Sequence, residues 1–246
     1  SRNNSKVLEV LNNVDYVVAN SQFTKNLAIE KGVIEEKITV INPGIDPSIE
    51  IPKEDLKQAE KILSGKEQRL ITVSRFDKRK NHEKVIMTLR NLKEKYPDII
   101  YTCIGYGNEE ENLKKLVIEL KLQKQVIFLN NISNDLKNAL VAKSHVFIMP
   151  SIIYKTSVEG FGISYIEAAQ YGIPSIGGKD GGASDAITHN KTGLICNGNN
   201  LEDIYLSTLS MFENKKYLHF GKNAKESVSK FYWSNIIKKY CKILNW

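Results

Sequence analysis

The apolar run Val146-Phe147-Ile148-Met149 leads, after a loop, into Glu159-Gly160-Phe161-Gly162-Ile163-Ser164-Tyr165-Ile166-Glu167. The first stretch is typical of a buried strand, and the glycine-rich turn in the second predicts the start of a helix. Free amide N–H groups and the positive dipole end at such a helix start bind anions. The two glutamates that bracket the turn can accept hydrogen bonds from sugar hydroxyls. The unit therefore predicts a strand–turn–helix element that faces a ligand with both phosphate and hydroxyl groups.

Strand-like and helix-like segments alternate along most of the chain. The predicted strands cover residues 14–19, 37–41, 69–73, 98–104, 125–129, 145–149, 174–176 and 193–195, and the predicted helices cover 21–31, 54–63, 81–96, 109–120, 135–142, 162–171 and most of the chain from 200. This pattern predicts an α/β fold, with a Rossmann-like parallel sheet and helices on both faces. We predict that residues 47–246 form one complete domain, and that its last helix covers about 233–246. We predict that residues 1–46 form the last β-α-β piece of a preceding domain, followed by a linker.

Composition narrows the class of partner. The 246 residues carry a net charge of +7, and no apolar run reaches the roughly 18 residues of a membrane span. The lysines are spread over predicted helices rather than gathered with aromatic side chains, so we expect no nucleic-acid partner. The charge still permits peripheral contact with an anionic membrane or binding of phosphorylated small molecules. Ser1–Lys6 is polar and lacks an initiator methionine, so we expect the chain to be part of a longer protein.

Cysteine and histidine are few and scattered. Cys103, Cys196 and Cys241 are odd in number and far apart, which indicates a reducing cytosol. The four histidines form no H-x-H or H-E-x-x-H pattern, so no metal site is predicted.

Unusual residues follow the carboxyl ends of several predicted strands, where open parallel sheets bind ligands. They are Arg75 with Lys80, Gly105-Tyr106-Gly107, Asn130-Asn131, Glu159–Gly162 and Gly177–Gly182. A random scatter would place about half of them at the opposite edge. The convergence predicts one binding site along a single margin, with the guanidinium fork suited to phosphate.

Each of these features also has a simpler interpretation. Arg75 and Lys80 can be ordinary surface cations, Asn130-Asn131 can be turn formers, and Gly177–Gly182 can be a flexible loop. The third glycine of a dinucleotide fingerprint is absent after Gly105-Tyr106-Gly107, which argues against a nicotinamide enzyme.

With these residues in view, the chain resembles the GT-B retaining glycosyltransferases of family 4, the glycosyltransferase group 1 family. The matching stretches are Val14–Ser21, Ile38–Asp46, Ser74–Asn81, Glu159–Glu167, Gly181-Gly182 with Thr192–Leu194, and Phe231–Trp233. Glu159–Glu167 matches the E-x7-E motif and is the most specific of these. The resemblance implies that the chain is the C-terminal, donor-binding half of a GT-B fold, preceded by a remnant of the N-terminal acceptor domain.

The resemblance also implies site residues. Arg75 and Lys80 would bind the donor diphosphate and stabilise its leaving charge, Glu159 would lie beside the donor sugar, and Glu167 would hold the ribose hydroxyls. The resemblance thus assigns catalysis to Arg75, Lys80 and Glu159. The full set expected to bind the donor is Arg75, Lys80, Gly105, Tyr106, Asn131, Ile132, Glu159, Gly160, Phe161, Gly162, Ile163 and Glu167. The family usually needs no metal, and neither a metal nor a cofactor is expected beside the donor.

The chain departs from the family pattern at several positions. Asn130 stands where glycine is common, Gly107 lacks the usual following proline, and Asp185 stands where glutamate is usual. Ile152–Val158 is a longer approach to Glu159 than in many members. These departures affect the assignment of the donor's nucleotide base and sugar, and they do not affect the assignment to the class of glycosyltransferases.

The activity implied is transfer of a hexose, with retention, from a UDP- or GDP-sugar to a glycan or lipid-linked acceptor, as in polysaccharide biosynthesis. The implied partners are the donor, the acceptor and the rest of the N-terminal domain, and the implied location is the cytoplasm or the inner membrane face. The alternatives are a non-catalytic sugar-nucleotide binding module, a GT-B nucleotide-sugar epimerase, and an interaction domain without a ligand. An epimerase would release a new sugar isomer without an acceptor, and an interaction domain would respond to no nucleotide.

Overall fold

A computed structural model describes residues 2–48 and 50–245 of the chain. The strands are Val17–Ala19 (β1), Ile38–Val40 (β2), Arg69–Val73 (β3), Ile100–Ile104 (β4), Val126–Leu129 (β5), Val146–Met149 (β6), Ser175–Gly178 (β7) and Gly193–Cys196 (β8). The helices are Arg2–Asn13 (α1), Gln22–Glu30 (α2), Lys53–Ile62 (α3), His82–Lys95 (α4), Glu110–Glu119 (α5), Asn134–Ala142 (α6), Ile163–Gln170 (α7), Ala183–Ala186 (α8), Leu201–Phe212 (α9), Lys216–Ser227 (α10) and Trp233–Leu244 (α11).

The main sheet is parallel and has six strands in the order β5-β4-β3-β6-β7-β8. β3 is the first of these strands in the chain and pairs with β4 on one side and β6 on the other. The strand order therefore reverses between β3 and β6. In an open parallel sheet, the crevice beyond the carboxyl ends at such a reversal is where ligands bind.

Both faces of the sheet are covered. Leu70 and Tyr101 pack with α4, α5 and α9 in one apolar cluster, whereas the neighbouring Ile71 and Ile100 pack with α3, α6 and α7 in another. Successive strand residues point to opposite faces, so strands buried on both sides have continuous apolar runs. The predicted α/β fold with a parallel sheet between two helix layers is confirmed.

The N-terminal unit, residues 17–42, forms a small structure of its own. β1 and β2 pair in parallel, and Ser21 caps α2 by accepting from the Thr24 backbone N–H. The chain then returns to the main domain, where Ile45 exchanges backbone hydrogen bonds with the segment before α11. The domain boundary at residue 46 stays a prediction.

Several elements differ from expectation. α1 was not predicted, because its residues are mostly polar and its apolar spacing is confined to the Val7–Leu11 segment. β1 begins at Val17 rather than Val14, and Gly177 and Gly178 belong to β7 instead of to a loop. None of the helices in the described part of the chain combines the length and apolar character needed to cross a bilayer.

Candidate functional site

The crevice between β3 and β6 brings two chemically distinctive segments together. β3 ends at Val73 and continues into Ser74–Asn81, which we call the cation loop, while β6 continues into the segment that carries Glu159. The Ser164 hydroxyl, in the first turn of α7, donates a hydrogen bond to the Val73 carbonyl at 3.1 Å. The start of α7 therefore lies against the beginning of the cation loop.

Glu159 is the electrostatic centre of this crevice. Its Oε2 accepts hydrogen bonds from Arg79 Nη1 at 2.6 Å and from Lys80 Nζ at 2.5 Å, and the Ser151 hydroxyl lies 3.4 Å away. The exposed fraction of these side chains is 10% for Glu159, 9% for Arg79 and 11% for Lys80. All three donors meet Oε2, so none of them occupies Oε1. The arrangement is a buried carboxylate between two cations.

The charges of this group follow from its burial and its neighbours. Burial raises the pKa of Glu159, but the charges and hydrogen bonds of Lys80 and Arg79 outweigh it and hold the pKa below its ordinary value. Burial lowers the pKa of the Lys80 ammonium, and the Glu159 carboxylate opposes that change. Because a guanidinium stays protonated in proteins, Glu159 remains an anion at neutral pH.

Arg79 is the residue that sequence reasoning missed. It stands between Lys78 and Lys80 in a 3₁₀ turn, where consecutive side chains point about 120° apart. Arg79 and Lys80 nevertheless both reach Glu159, and only Lys78 faces away from it. Lys78 turns outward to Glu83 and Glu109. Nothing in the local sequence indicates which members of such a run point inward.

Arg75 lies apart from this group. Its side chain is 71% exposed, and it makes a 3.4 Å ion pair with Asp77 in the same loop. Within residues 2–48 and 50–245, no hydrogen bond or ion pair joins Arg75 to Lys80 or Glu159. The two predicted phosphate ligands thus share one loop but not one contact, and Arg75 is the one available to a ligand from solvent.

The turn before α7 is built by glycine and by burial of Phe161. Gly162 has φ +88°, and a Cβ there would lie 2.3 Å from the Tyr165 ring. The Phe161 side chain packs edge-on against Phe231 with ring centroids 5.5 Å apart, so only its backbone can reach a ligand. Ile163 begins the helix, and the first N–H groups of a helix, here those of Ile163 and Ser164, have no partner within it. Tyr165 N–H donates to the Gly162 carbonyl at 3.0 Å.

Glu167 lies on α7 just over one turn from the start, because the helix begins at Ile163 and each turn takes about 3.6 residues. It borders an open cavity of about 680 Å³. The other residues that line this cavity include Asp46, Asn134, Asp135, Ile163 and Trp233. Glu167 and the start of α7 therefore face the same space, and Glu159 is not among the residues that line it.

The loop after β4 meets the cation loop, and the loop after β5 follows the carboxyl end of the neighbouring strand. Phe76 N–H donates to the Tyr106 carbonyl at 2.9 Å, and Gly105, with φ +146°, leaves no room for a Cβ, which would lie 2.0 Å from the Ser74 carbonyl oxygen. The Tyr106 side chain is exposed. Asn131 has φ +51°, as a turn former does, and Ile132 packs partly into the core cluster around α6. These four predicted residues lie on the same margin, although Ile132 also has a packing role.

In the predicted glycine loop Gly177–Gly182, the end of the loop packs against the backbone of the turn that carries Glu159. Gly182 N–H donates to the Glu159 carbonyl at 2.8 Å, and a Cβ on Gly182 would lie 2.0 Å from the Gly160 carbonyl oxygen. Gly160 in turn backs onto the Asn20 side chain, where a Cβ would lie 2.8 Å from Nδ2. Asp185 Oδ2 accepts from Gln22 N–H at 3.0 Å and from Asn42 Nδ2 at 3.1 Å. Its role here is to join the N-terminal unit to the main domain.

No group of three or more His, Cys, Asp or Glu side chains is placed to hold a metal ion in the described ranges 2–48 and 50–245.

Comparisons with known proteins agree with this geometry. Residues 53–227 match the family described as "Glycosyl transferases group 1", and residues 2–49 match "Glycosyltransferase Family 4". A GDP-mannose-dependent alpha-(1-6)-phosphatidylinositol monomannoside mannosyltransferase of Mycolicibacterium smegmatis is 27% identical over 197 residues, 78% of this chain and 52% of that protein. An uncharacterized glycosyltransferase of Methanocaldococcus jannaschii is 30% identical over 241 residues, 95% of this chain and 59% of that protein. The chain thus spans between half and three fifths of these relatives.

Solved structures share the fold. The Anabaena Alr3699/HepE protein in complex with UDP and glucose superposes with a TM-score of 0.85 at 21% identity, covering 99% of this chain and 67% of that one. A glycosyltransferase from Rickettsia africae gives a TM-score of 0.81 at 25% identity, covering 97% of this chain and 66% of that one. Together with the family match over residues 53–227, these comparisons show that the chain belongs to the group 1 glycosyltransferases of GT-B fold.

Proposed function

We propose that the whole protein transfers a hexose, with retention, from a UDP- or GDP-sugar to a glycan or lipid-linked acceptor, and that this chain is its donor-binding part. The observation that carries the proposal is that one crevice holds the buried Arg79–Glu159–Lys80 group, an exposed Arg75 on the same loop, and the start of α7. A donor diphosphate needs cations and free N–H groups, and a donor sugar needs a fixed carboxylate. The crevice offers both at one margin.

In this proposal, Arg75 and the α7 amides bind the diphosphate, and Lys80 lies next to them with its charge held by Glu159. As the glycosidic bond breaks, negative charge grows on the departing diphosphate, and preorganised cations stabilise it. Glu159 Oε1 accepts a hydrogen bond from a sugar hydroxyl while Oε2 stays with its cations. Glu167, on the cavity side of α7, accepts from the ribose hydroxyls. The donor is the only small molecule that this scheme requires besides the acceptor.

The comparisons support either uracil or guanine as the base of the donor nucleotide. The M. smegmatis relative is GDP-mannose-dependent, and the HepE structure that shares the fold contains UDP. The acceptor would bind mainly to an N-terminal domain of which residues 1–46 are a part. We place the protein in the cytoplasm, with the net charge of +7 permitting contact with an anionic membrane face. We expect the 246-residue chain to bind nucleotide and to turn over slowly or not at all.

The binding test uses calorimetry with UDP, GDP, ADP and inorganic pyrophosphate. Arg75→Ala should weaken UDP or GDP binding about tenfold, because a charge-assisted hydrogen bond to phosphate contributes about 1.5–3 kcal/mol. Lys78→Ala is the matched control, since Lys78 is a cation of the same loop that turns to Glu83 and Glu109. Equal affinity in the unmodified chain and in Arg75→Ala contradicts the assignment of the phosphate site.

Transfer itself is tested with the full-length protein, a labelled sugar nucleotide and candidate acceptors. Transfer to an acceptor with the anomeric configuration kept supports the proposal. Release of a new sugar isomer without acceptor would identify an epimerase. Full biological activity of a Glu159→Ala variant would identify a binding module.

A further inference from the structure

The cation loop is closed at its neck by one buried imidazole. The loop begins at Ser74, directly after β3, and ends where His82 begins α4. His82 Nε2 lies 2.9 Å from the Ser74 hydroxyl oxygen, so a hydrogen bond joins the two ends, and the same hydroxyl oxygen lies 3.2 Å from the Arg75 carbonyl oxygen. Arg75 and Lys80 both lie between these ends, each within two residues of one of them.

The other ring nitrogen anchors the neck to the sheet. His82 Nδ1 lies 2.8 Å from the Tyr101 hydroxyl oxygen, which lies 2.8 Å from the Thr72 hydroxyl oxygen. The Thr72 hydroxyl donates to the Ile148 carbonyl of β6. This hydrogen-bonded chain crosses β4, β3 and β6, the central strands of the sheet. The imidazole is therefore held on its Nδ1 side by groups that the core keeps fixed.

Packing and protonation complete the arrangement. His82 is 2% exposed, and its ring makes an edge-to-face contact with Phe76 of the cation loop at a centroid distance of 5.0 Å. Burial, and secondarily the Lys80 charge, lowers the pKa of His82 to about 3. The ring is thus neutral at physiological pH, with one donor and one acceptor nitrogen. The Thr72 hydroxyl gives its one proton to the Ile148 carbonyl, so Tyr101 donates to Thr72, Nδ1–H donates to Tyr101, and Nε2 accepts from Ser74. The neutral ring adds no charge to a loop that already carries four cations.

We propose that His82 is a positioning residue for donor binding: by joining Ser74 to the Tyr101–Thr72 pair, it holds the cation loop in the shape that presents Arg75 and Lys80 to a diphosphate. The inference rests on the proposed function, because it assumes that the loop binds a diphosphate. It adds a residue that touches neither the donor nor the reacting atoms. A buried histidine that served stability alone would affect unfolding but not the affinity of the folded protein for ligand.

The first test removes one hydroxyl from each end of the chain of hydrogen bonds. Ser74→Ala cuts the bond at the loop, and Thr72→Val cuts the far end in the core while keeping the side-chain shape. Each variant of the 246-residue chain is measured for pyrophosphate and UDP affinity by calorimetry and for stability in urea. Ser74→Ala should lose about three- to tenfold in affinity, the range expected for one neutral hydrogen bond. Thr72→Val should lose stability and keep its affinity within about twofold.

The second test separates the two ring nitrogens. A glutamine amide reaches about as far as Nε2 and can keep the Ser74 partner, whereas an asparagine amide reaches about as far as Nδ1 and can keep only the Tyr101 partner. His82→Gln should therefore bind pyrophosphate more tightly than His82→Asn, even where both unfold at similar urea concentrations. Should His82→Asn fail to fold, the Ser74→Ala and Thr72→Val pair decides the question alone.

The outcomes are distinct. Unchanged affinity in Ser74→Ala, or equal losses in Ser74→Ala and Thr72→Val, overturns the positioning role while the proposed function stands. An unmodified chain that binds neither pyrophosphate nor any nucleotide overturns the proposed function, and the role of His82 falls with it.

Discussion

Replacing Glu159 by glutamine should destabilise the protein more than replacing Arg79 by methionine. The reason is the number of buried charges that each substitution leaves without a partner of opposite sign. Glu159→Gln leaves two cations, each about nine-tenths buried, without a carboxylate between them. Arg79→Met leaves Glu159 and Lys80 as a one-to-one ion pair. Breaking a buried pair by removing the partner of a charge costs about 3–5 kcal/mol, whereas losing one hydrogen bond to a charged group costs about 1.5–3 kcal/mol.

The pH dependence of this difference has a definite sign. Glu159 has a pKa that is lower in the folded protein than its ordinary value of 4.5. Its contribution to the free energy of unfolding is therefore fully present above about pH 4.5 and is lost as the pH falls through the folded pKa. In acid, the native protein and Glu159→Gln carry the same charges at this site. The stability gap between them should consequently shrink below about pH 4.5.

Urea unfolding followed by circular dichroism, at pH values from 7 to 3, measures these free energies. Glu83→Gln serves as the control, because Glu83 pairs with Lys78 at the surface and such pairs contribute about 0–1 kcal/mol. A Glu159→Gln variant that is as stable as Arg79→Met, or a stability gap that is constant over the pH range, would refute the charge argument.

Three further predictions concern neighbouring parts of the site. Glu167→Gln should weaken UDP binding more than pyrophosphate binding in calorimetry, because only the nucleotide carries ribose hydroxyls; equal losses would place Glu167 elsewhere. Gly182→Ala should lower the free energy of unfolding by about 1–3 kcal/mol in urea, since its Cβ would lie 2.0 Å from the Gly160 carbonyl oxygen, and a neutral result would mean that the backbone yields there. Asp185→Asn should cost about 1 kcal/mol in the same assay, because an anion at the first turn of α2 loses its charge beside the Gln22 N–H, and unchanged stability contradicts this reasoning.

The strands of the sheet could be predicted closely, because their signal is local. β3 has the predicted bounds, and the other strands of the main sheet agree to within two residues at each end. Each of these strands combines β-branched or aromatic residues with turn-forming flanks. The short glycine strand Ser175–Gly178 is the least clear of them, since Gly177 and Gly178 add backbone pairing without a side chain to indicate it.

The margin of the sheet was predictable in outline but not in its contacts. Which loops share a margin follows from strand direction alone. Whether a cation on one of them is buried depends on a partner far away in sequence: Arg79 is buried because Glu159, 80 residues later, meets it. His82 illustrates the same limit, since its partners come from distant positions: Ser74 follows β3, and Tyr101 lies within β4. Local patterns carry no information on such pairings.

The contacts of Gly160 with Asn20, and of Gly182 with Gly160 and Ser21, have a mechanical consequence. Backbone meets backbone or a short side chain there, with no long, pliable side chain in between to absorb a displacement. We therefore expect residues 17–42 to move together with the turn that carries Glu159. A hinge motion that leaves the Glu159 turn in place must bend the chain outside these glycine contacts. A motion that displaces the glycine contacts would shift the Glu159 carboxylate along with the N-terminal unit.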